Sequence, residues 1–352
     1  MKYIKVMKNK IFVCHEFFTP SHYAALEYLA KENDCEVIYC EPNLYRELRH
    51  CFKNKISRSR FLHNLFWTIA LLLTTGSKVV VGMAPYNHFL KWLLFILRGH
   101  ELYYHSSYSC WDGSRCAHNG SNKDKKLWKE FTNYKIKHFF AVSQKTKDEV
   151  VKNGYCPPEN ISIVNHSFKI DINSNHLCEY SPSFICVGRL SEQKGIAQLL
   201  DIFSRHPEAN ITFVGSGKFE QLVKKYTLKY SNIKYAGFIK GLGNLIPIYK
   251  NHSFLVLNSI KTPIWEELFG MALYEGMACG CVPLANNHPG PKEIISDGVD
   301  GFLCNEGSIE CLIVKVLKMN KVEYEQIRQK SIAKGQSFHC SIVAQKWMSI
   351  LK

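Results

Sequence analysis

Residues 184–195 read FICVGRLSEQKG, and this stretch decides the fold. The apolar residues of Phe184–Val187 predict a buried strand, which the following glycine ends. A loop with one arginine, Arg189, and one lysine, Lys194, then leads into a helical pattern. A strand that passes through a short loop into a helix is the repeating unit of a parallel α/β sheet.

The same alternation of strand and helix continues in both directions from this stretch. The predicted strands of the first half are Ile11–Cys14, Glu36–Tyr39, Val79–Val81, Glu101–Tyr104, Phe139–Val142 and Ile161–Val164. Those of the second half are Phe184–Val187, Ile211–Val214, Ile233–Tyr235, Phe254–Leu257 and Val282–Ala285. Ser21 and Ser143 are the predicted caps of helices at 21–31 and 144–152.

A chain of 352 residues exceeds what one core usually holds, so the alternation predicts two domains. We expect two facing, doubly wound, Rossmann-like α/β domains, because ligands of such sheets bind at the carboxyl ends of the strands and two facing sheets form one cleft. The polar segment Asp171–Pro182 lacks periodicity and predicts the linker. This places the domains at residues 1–172 and 173–335, with a carboxyl-terminal helix at 336–352 that packs back on the first domain.

The formal net charge of +15 indicates an anionic partner: nucleic acid, a membrane surface or a polyanionic small molecule. Residues 51–100 hold seven Lys or Arg and no Asp or Glu. Two interpretations of the basic, aromatic segments Lys53–Leu73 and Phe89–Leu94 stay open. They lie on an anionic bilayer, or they are core-facing helices with a solvated basic edge. Neither spans a membrane, because a span needs about 20 apolar residues.

The fourteen cysteines contain no C-x-x-C pair, and no signal peptide precedes them. Cys110 and Cys116 lack a matching second pair. The sequence therefore predicts reduced, mostly buried thiols in a cytoplasmic protein. No ligand spacing fits a zinc site, so we expect no bound metal.

Candidate ligand-binding residues lie in the segment 266–280, EELFGMALYEGMACG. A helix is predicted from near Gly270 to Cys279, with Gly280 as its terminator. Eight residues of helix span about 12 Å, so Glu267 and Glu275 are too far apart to catalyse on one bond, where paired carboxylates lie within about 10 Å. That separation suits two ends of a long ligand, with the helix amides between them free for phosphates. An amphipathic core helix with two surface glutamates is the alternative.

Two further segments complete the pattern. Arg189 and Lys194 suit a diphosphate, since arginine offers a bidentate fork and lysine a point charge; a solvated basic loop is the alternative. Residues 287–303 predict a helix that begins with a proline and then a glycine turn. Gly215-Ser216-Gly217 lacks the third glycine of a dinucleotide fingerprint and predicts a tight turn at the cleft edge.

Together these motifs resemble the donor domain of the family 4 retaining glycosyltransferases, which have the GT-B fold. The loop VGRLSEQKG is similar to their G-R-x-x-x-x-K-G loop, and Glu267 and Glu275 match both ends of their E-x7-E motif. The segments GPKEII and GVDGFL resemble the block that follows. The resemblance covers Phe184–Leu303, about a third of the chain. It implies that residues 1–172 bind the acceptor and residues 173–335 bind a nucleotide-sugar donor.

The resemblance also implies roles for individual residues. Arg189 and Lys194 would hold the diphosphate, Glu267 would contact the donor sugar, and Glu275 would contact the ribose. His105 ends a strand where the family often carries a histidine that reaches the donor sugar; a core or acceptor-side histidine is the alternative. The implied catalytic residues are Glu267, His105, Arg189 and Lys194. The implied donor-binding residues are Arg189, Lys194, Gly215, Glu267, Leu268, Phe269, Gly270, Met271 and Glu275. One departure is the loop His15–Ser21, which lacks the glycine pair that the family commonly has there.

The implied activity is retaining, metal-independent transfer of a hexose from a nucleotide-diphosphate sugar, with no cofactor. The acceptor would be a lipid-linked or polysaccharide glycan, as in polysaccharide or lipopolysaccharide assembly, at the inner face of the membrane. A nucleotide-sugar epimerase or a phosphorylase on the same fold is one alternative. A basic nucleic-acid-binding protein is another, but no zinc finger, RNA-binding sheet signature or basic zipper is present, so we expect no nucleic-acid partner.

Overall fold

The structure, a computed structural model, describes residues 9–16, 19–53, 55–113, 120–173, 179–262 and 265–352. Part of the predicted linker, residues 174–178, and Cys116 lie outside these ranges. The chain divides into two compact units. The amino-terminal unit has the residues up to Lys169 together with Cys340–Lys352, and the carboxyl-terminal unit is Ile170–His339.

Each unit is built on a parallel sheet of six described strands. The amino-terminal strands are β1 (Lys10–His15), β2 (Glu36–Cys40), β3 (Lys78–Gly82), β4 (Glu101–Ser106), β5 (Ile136–Ala141) and β6 (Ile161–Ile163). The carboxyl-terminal strands are β7 (Ser183–Val187), β8 (Asn210–Val214), β9 (Ile233–Gly237), β10 (Phe254–Leu257), β11 (Val282–Asn286) and β12 (Phe302–Cys304). The predicted α/β class with doubly wound sheets is confirmed.

Helices connect the strands, as a parallel sheet requires. In chain order the α-helices are α1 (Ala24–Glu32), α2 (Leu44–Phe52), α3 (Arg58–Leu73), α4 (Leu90–Ile96), α5 (Asn122–Glu130), α6 (Gln144–Lys152), α7 (Ile196–Arg205), α8 (Glu220–Lys229), α9 (Leu242–Lys250), α10 (Met271–Ala278), α11 (Pro289–Ile294), α12 (Ile309–Leu317), α13 (Lys321–Gln336) and α14 (Cys340–Val343). None of the described helices combines the length and the hydropathy that crossing a bilayer would take.

The two predicted serine caps have different outcomes. The Oγ of Ser143 accepts a hydrogen bond from the Thr146 amide at 3.1 Å, so it caps α6 as predicted. The prediction for Ser21 is wrong, because Ser21 lies inside a 3-10 turn, Pro20–Tyr23, and α1 begins only at Ala24. A proline fixes its own φ near the helical value, which suits the first position of a turn or helix.

The strand order of the carboxyl-terminal sheet locates its ligand edge. The order is β12-β11-β10-β7-β8-β9, so the chain runs outward from β7 in one direction and then returns to continue outward from β10. β7 and β10 pair directly, through Phe184 with Phe254 and Ile185 with Leu255. In an open α/β sheet the crevice at such a reversal point, at the carboxyl ends of the strands, is where ligands bind.

The last residues of the chain belong to the amino-terminal core. After α14, Ala344–Ile350 forms a 3-10 segment. Trp347 is buried there, with its ring centroid 4.2 Å from that of Phe140 and 5.4 Å from that of His105. The segment packs on α1, so part of the apolar surface of the first sheet is covered by the end of the sequence.

One close helix contact positions α10. Gly335, on α13, faces α10, and a Cβ at this position would come within 2.2 Å of the Ala278 amide nitrogen. We expect Gly335→Ala to destabilise the unit by about 1–3 kcal/mol, because the two backbones would have to separate. The control is Gly243→Ala on α9, where the nearest atom to a new Cβ is 3.6 Å away. Alanine favours a helix interior, so the control should unfold at an equal or higher urea concentration. Equal stability of the two variants would contradict the expected crowding.

Candidate functional site

The reversal point of the carboxyl-terminal sheet carries a charged pair. Lys194 lies in the loop after β7, and Glu267 lies in the loop after β10. The Nζ of Lys194 forms a close ion pair with Oε2 of Glu267, and the Ser259 hydroxyl donates to the same oxygen at 2.7 Å. The Lys194 and Glu267 side chains are 20% and 10% exposed, so both have lost most of their water while staying reachable from solvent.

Asparagine side chains hold the two loops together. The Nδ2 of Asn258 donates to the Gly195 carbonyl at 3.3 Å, and the Nδ2 of Asn286 donates to Oδ1 of Asn258 at 2.8 Å. Gly195 has a φ of +60°, and a Cβ there would come within 2.3 Å of the Asn258 carbonyl oxygen. Glycine is therefore required directly after Lys194, because other residues rarely adopt this backbone and have no space here.

Trp265 and His288 form a second layer around the pair. The Nζ of Lys194 lies 5.3 Å from the centroid of the Trp265 ring, a cation–π distance. His288 is buried, and its Nε2 lies 2.8 Å from the Ser259 carbonyl oxygen. In the tautomer that carries its proton on Nε2, the ring donates a hydrogen bond to that oxygen. These contacts restrict the positions of both charged side chains. A group that is fixed before its ligand arrives loses little further entropy on binding.

The predicted helix after Glu267 is present as α10. It begins at Met271, after Gly270, whose φ is +79°. The loop before the helix therefore contains Leu268, Phe269 and Gly270, and Met271 is the first residue of the helix. The first amides of a helix have no partner within it and suit an anion. This amino-terminal end follows Glu267 directly in the chain, so it lies beside the Lys194 pair.

Glu275 lies one turn further along α10. Burial raises its pKa to about 7, and the nearby Tyr249 hydroxyl acts in the opposite direction. Its charge therefore changes near neutral pH, and a ligand that prefers the carboxylate would hold it ionised. Glu267 and Glu275 thus lie in different surroundings, one paired with a lysine and the other between tyrosines.

Arg189 and Gly215 line a cavity of about 360 Å³ at the ends of β7, β8 and β9. Arg189 is exposed, and Phe238, which is 68% exposed, forms part of the wall. A Cβ on Gly215 would come within 1.8 Å of the Gly188 carbonyl oxygen, so the two backbones can approach only without a side chain. Gly215 therefore shapes the cavity by its missing side chain, as the predicted tight turn implies.

His105 lies in the amino-terminal unit, at the end of β4, and is buried. Its ring centroid is 4.8 Å from that of Tyr23 and 6.0 Å from that of His166. Burial, and then the neighbouring histidines His166, His22 and His15, hold its pKa well below the usual value, so the imidazole is neutral. Within the described part of the chain, its Nε2 has no hydrogen-bond partner.

The geometry brings some of the predicted residues into contact and leaves others apart. Lys194 and Glu267 are in direct contact, and Gly270 and Met271 follow in the same loop and helix. Arg189 shares a cavity with Gly215, and Glu275 has its own surroundings on α10. Five residues of the site were not predicted from the sequence: Asn258, Ser259, Asn286, Trp265 and Phe238. The signal for Asn258, Ser259 and Asn286 was available, since each is a polar residue at the carboxyl end of an apolar strand.

Among the described residues, no group of three His, Cys, Asp or Glu side chains is arranged to hold a metal ion. Metal independence stays a prediction. So do the individual roles of the nine donor-binding residues.

The carboxyl-terminal unit matches a known sequence family. The sequence profile of the family "Glycosyl transferases group 1" matches residues 168–337. An uncharacterised glycosyltransferase of Haemophilus influenzae is 28% identical over 200 residues, which are 54% of this chain and 54% of that protein. The match thus spans about half the length of that relative.

Solved structures show the same fold over nearly the whole chain. HepE of Anabaena, in complex with UDP and glucose, superposes with a TM-score of 0.67 at 17% identity and covers 97% of this chain and 99% of its own. The lipopolysaccharide outer core galactosyltransferase WaaB superposes with a TM-score of 0.65 at 15% identity and covers 97% and 98%. Residues 168–337, just under half of the chain, thus match the group 1 glycosyltransferases, and nearly the whole chain has the GT-B fold of these solved structures.

Proposed function

We propose that the protein transfers a sugar from a nucleoside-diphosphate sugar to a glycan acceptor. The observation that carries the proposal is the Lys194–Glu267 pair, which lies at the reversal point of the donor sheet next to the start of α10. A lysine and free helix amides suit a diphosphate, and a carboxylate suits sugar hydroxyls. HepE, which has the same fold, has been solved in complex with UDP and glucose, so UDP is the first nucleotide to test.

The proposed chemistry follows from the charges. The leaving group is a nucleoside diphosphate, on which negative charge builds as the glycosidic bond breaks. Lys194, Arg189 and the first amides of α10 would stabilise that charge, which is transition-state stabilisation by groups already in place. This requires no divalent metal and no cofactor. The retaining outcome, with a donor phosphate oxygen as base for the acceptor hydroxyl, is part of the proposal and rests on the family resemblance.

The acceptor is proposed by class. A polysaccharide or lipid-linked glycan would suit a cationic protein, and WaaB, a lipopolysaccharide galactosyltransferase, has the same fold. His105 is proposed to reach the donor sugar, which its free Nε2 supports. The test of acceptor class is transfer of labelled sugar to a lipid-linked glycan and to a soluble polysaccharide fragment. Transfer to neither would contradict this part of the proposal.

The donor is tested by a thermal-shift screen with UDP, GDP, ADP and their sugar conjugates. A ligand at 100 times its Kd stabilises the folded protein by about 2.7 kcal/mol, so one nucleotide should raise the melting temperature clearly above the others. No shift with any nucleoside diphosphate would contradict the proposed function. Conversion of the donor sugar without any acceptor would favour an epimerase instead.

The pKa of Glu275 makes this binding pH-dependent. If its carboxylate holds ribose hydroxyls, nucleotide affinity should rise as the pH increases through about 7, because hydrogen bonds to the ionised form are stronger. We expect a change of about fivefold between about pH 6 and about pH 8. Glu275→Gln should remove this part of the dependence and leave the part due to the nucleotide's own phosphate. An unchanged pH profile in the variant would remove Glu275 from the ribose site.

A further inference from the structure

The helix α3 has apolar residues on both of its sides, and only one side faces the protein. Its buried residues include two polar ones, Asn64 and Thr68. Asn64 is satisfied there, since its Oδ1 accepts from the Glu41 amide at 3.1 Å and its Nδ2 donates to Glu47 at 2.6 Å. The inner side of α3 therefore serves a polar network as well as the core, and a large part of its apolar surface is left for the other side.

The outward side of α3 is an apolar stripe. Its members are spaced four, three and four residues apart, which places them on one side of a helix. They are Leu62, Phe66, Ile69 and Leu73, with exposed fractions of 60%, 51%, 46% and 77%. The neighbouring helix α4 adds Trp92 and Phe95, both more than half exposed. Exposed apolar side chains grouped on neighbouring helices in this way are typical of a binding surface in soluble proteins.

The cations on these helices and in the segments next to them are mostly exposed, whereas the one acid of the same region is buried. Residues 42–100 contain nine Lys or Arg and one acidic residue, Glu47. Glu47 is 1% exposed and faces Asn64 and Arg60 inside the unit. The exposed cations around the stripe are Arg49, Lys53, Lys55, Arg58, Lys91 and Arg98. The surface is therefore apolar in its centre and positively charged around it.

We propose that this surface, made of the outward sides of α3 and α4 with their cations, docks on an anionic phospholipid bilayer. The stripe would enter the acyl boundary and the cations would contact lipid phosphates, as in helices that lie in the interface. A second copy of the chain fits less well. A two-fold interface places the same patch on itself, and here it would bring cations against cations, because no acid among the described residues of 42–100 is exposed to pair them.

Vesicle binding is measured without donor or acceptor, so its result does not depend on the proposed sugar transfer. The full chain is floated with phosphatidylcholine vesicles and with vesicles that also contain phosphatidylglycerol. We expect binding to the anionic vesicles at least about tenfold above the neutral ones, and weaker binding at high salt. Equal binding to both vesicles, or to neither, would overturn the proposal.

Two pairs of variants separate charge from apolar contact. Arg58→Glu with Lys91→Glu should lower binding by at least about tenfold, and the matched charge change Lys225→Glu with Lys234→Glu in the other unit should not. Phe66→Ser with Leu73→Ser should lower binding as well, whereas Leu228→Ser with Val322→Ser, also exposed, should not. Because every changed residue is exposed, circular dichroism should show wild-type folding. Equal losses in test and control pairs would overturn the proposal, as would a lipid-free dimer that Phe66→Ser with Leu73→Ser dissociates.

Discussion

Lys194→Ala is expected to lower kcat by about 10²–10³-fold, the usual effect of removing one group that stabilises charge in a transition state. In the free protein Lys194 neutralises Glu267; with donor bound, it would also neutralise charge on the departing diphosphate. The measurement is the rate of release of nucleoside diphosphate at saturating donor, with urea unfolding as a check on the fold.

The matched control is Lys224→Ala. Lys224 also pairs with a glutamate, Glu220 at 2.8 Å, but on the surface of α8. The control should keep the wild-type rate, since exposed ion pairs of this kind contribute little to stability. A Lys194→Ala variant that is folded and turns over donor at the wild-type rate would remove Lys194 from the proposed site.

Glu267→Gln should lower kcat by at least about 100-fold while the side chain keeps its size. The amide can still accept from the Ser259 hydroxyl, but it no longer neutralises Lys194 and binds sugar hydroxyls more weakly than a carboxylate does. The control is Glu266→Gln in the same loop, which removes an equal charge from a carboxylate that contacts Lys261 at 3.2 Å. Equal losses in the two variants would mean that the net charge of the loop, rather than the position of Glu267, is what matters.

A double-mutant cycle tests the pair itself. Lys194→Ala and Glu267→Gln, alone and combined, are compared by urea unfolding without ligand. Residues in contact couple by about 0.5–3 kcal/mol, whereas independent sites add within about 0.3–0.5 kcal/mol. Additive losses would contradict the contact between the two side chains.

The strands could be predicted from the sequence because each is a short apolar run between glycines and polar residues. β12 was missed, since its three residues, Phe302–Cys304, are too few for a pattern. The contact of Lys194 with Glu267 joins residues 73 apart, and no local pattern contains such a contact. This contact could be expected only from the resemblance of the ordered motifs to those of a known family.

The orientation of α3 could not be predicted from the sequence, for a different reason. The apolar pattern predicts a helix, but both interpretations of 53–73 had its apolar residues on one side, facing either the core or a bilayer. In the structure, apolar residues lie on both sides: Trp67 and Leu71 are buried, and Leu62 and Phe66 are exposed. Asn64 lies on the inward side because its Oδ1 accepts from the Glu41 backbone amide and its Nδ2 donates to the Glu47 carboxylate, and both partners lie before the helix in the chain. A pattern within one helix does not carry that information.

The return of Cys340–Lys352 to the amino-terminal unit has a consequence for biosynthesis. A ribosome releases residues 170–339 as one continuous stretch, so the carboxyl-terminal unit can fold as soon as that stretch has left the exit tunnel. The unit translated first must wait for Trp347 before its apolar surface is covered. Nascent chains stalled before that residue should therefore protect the second unit from protease earlier than the first.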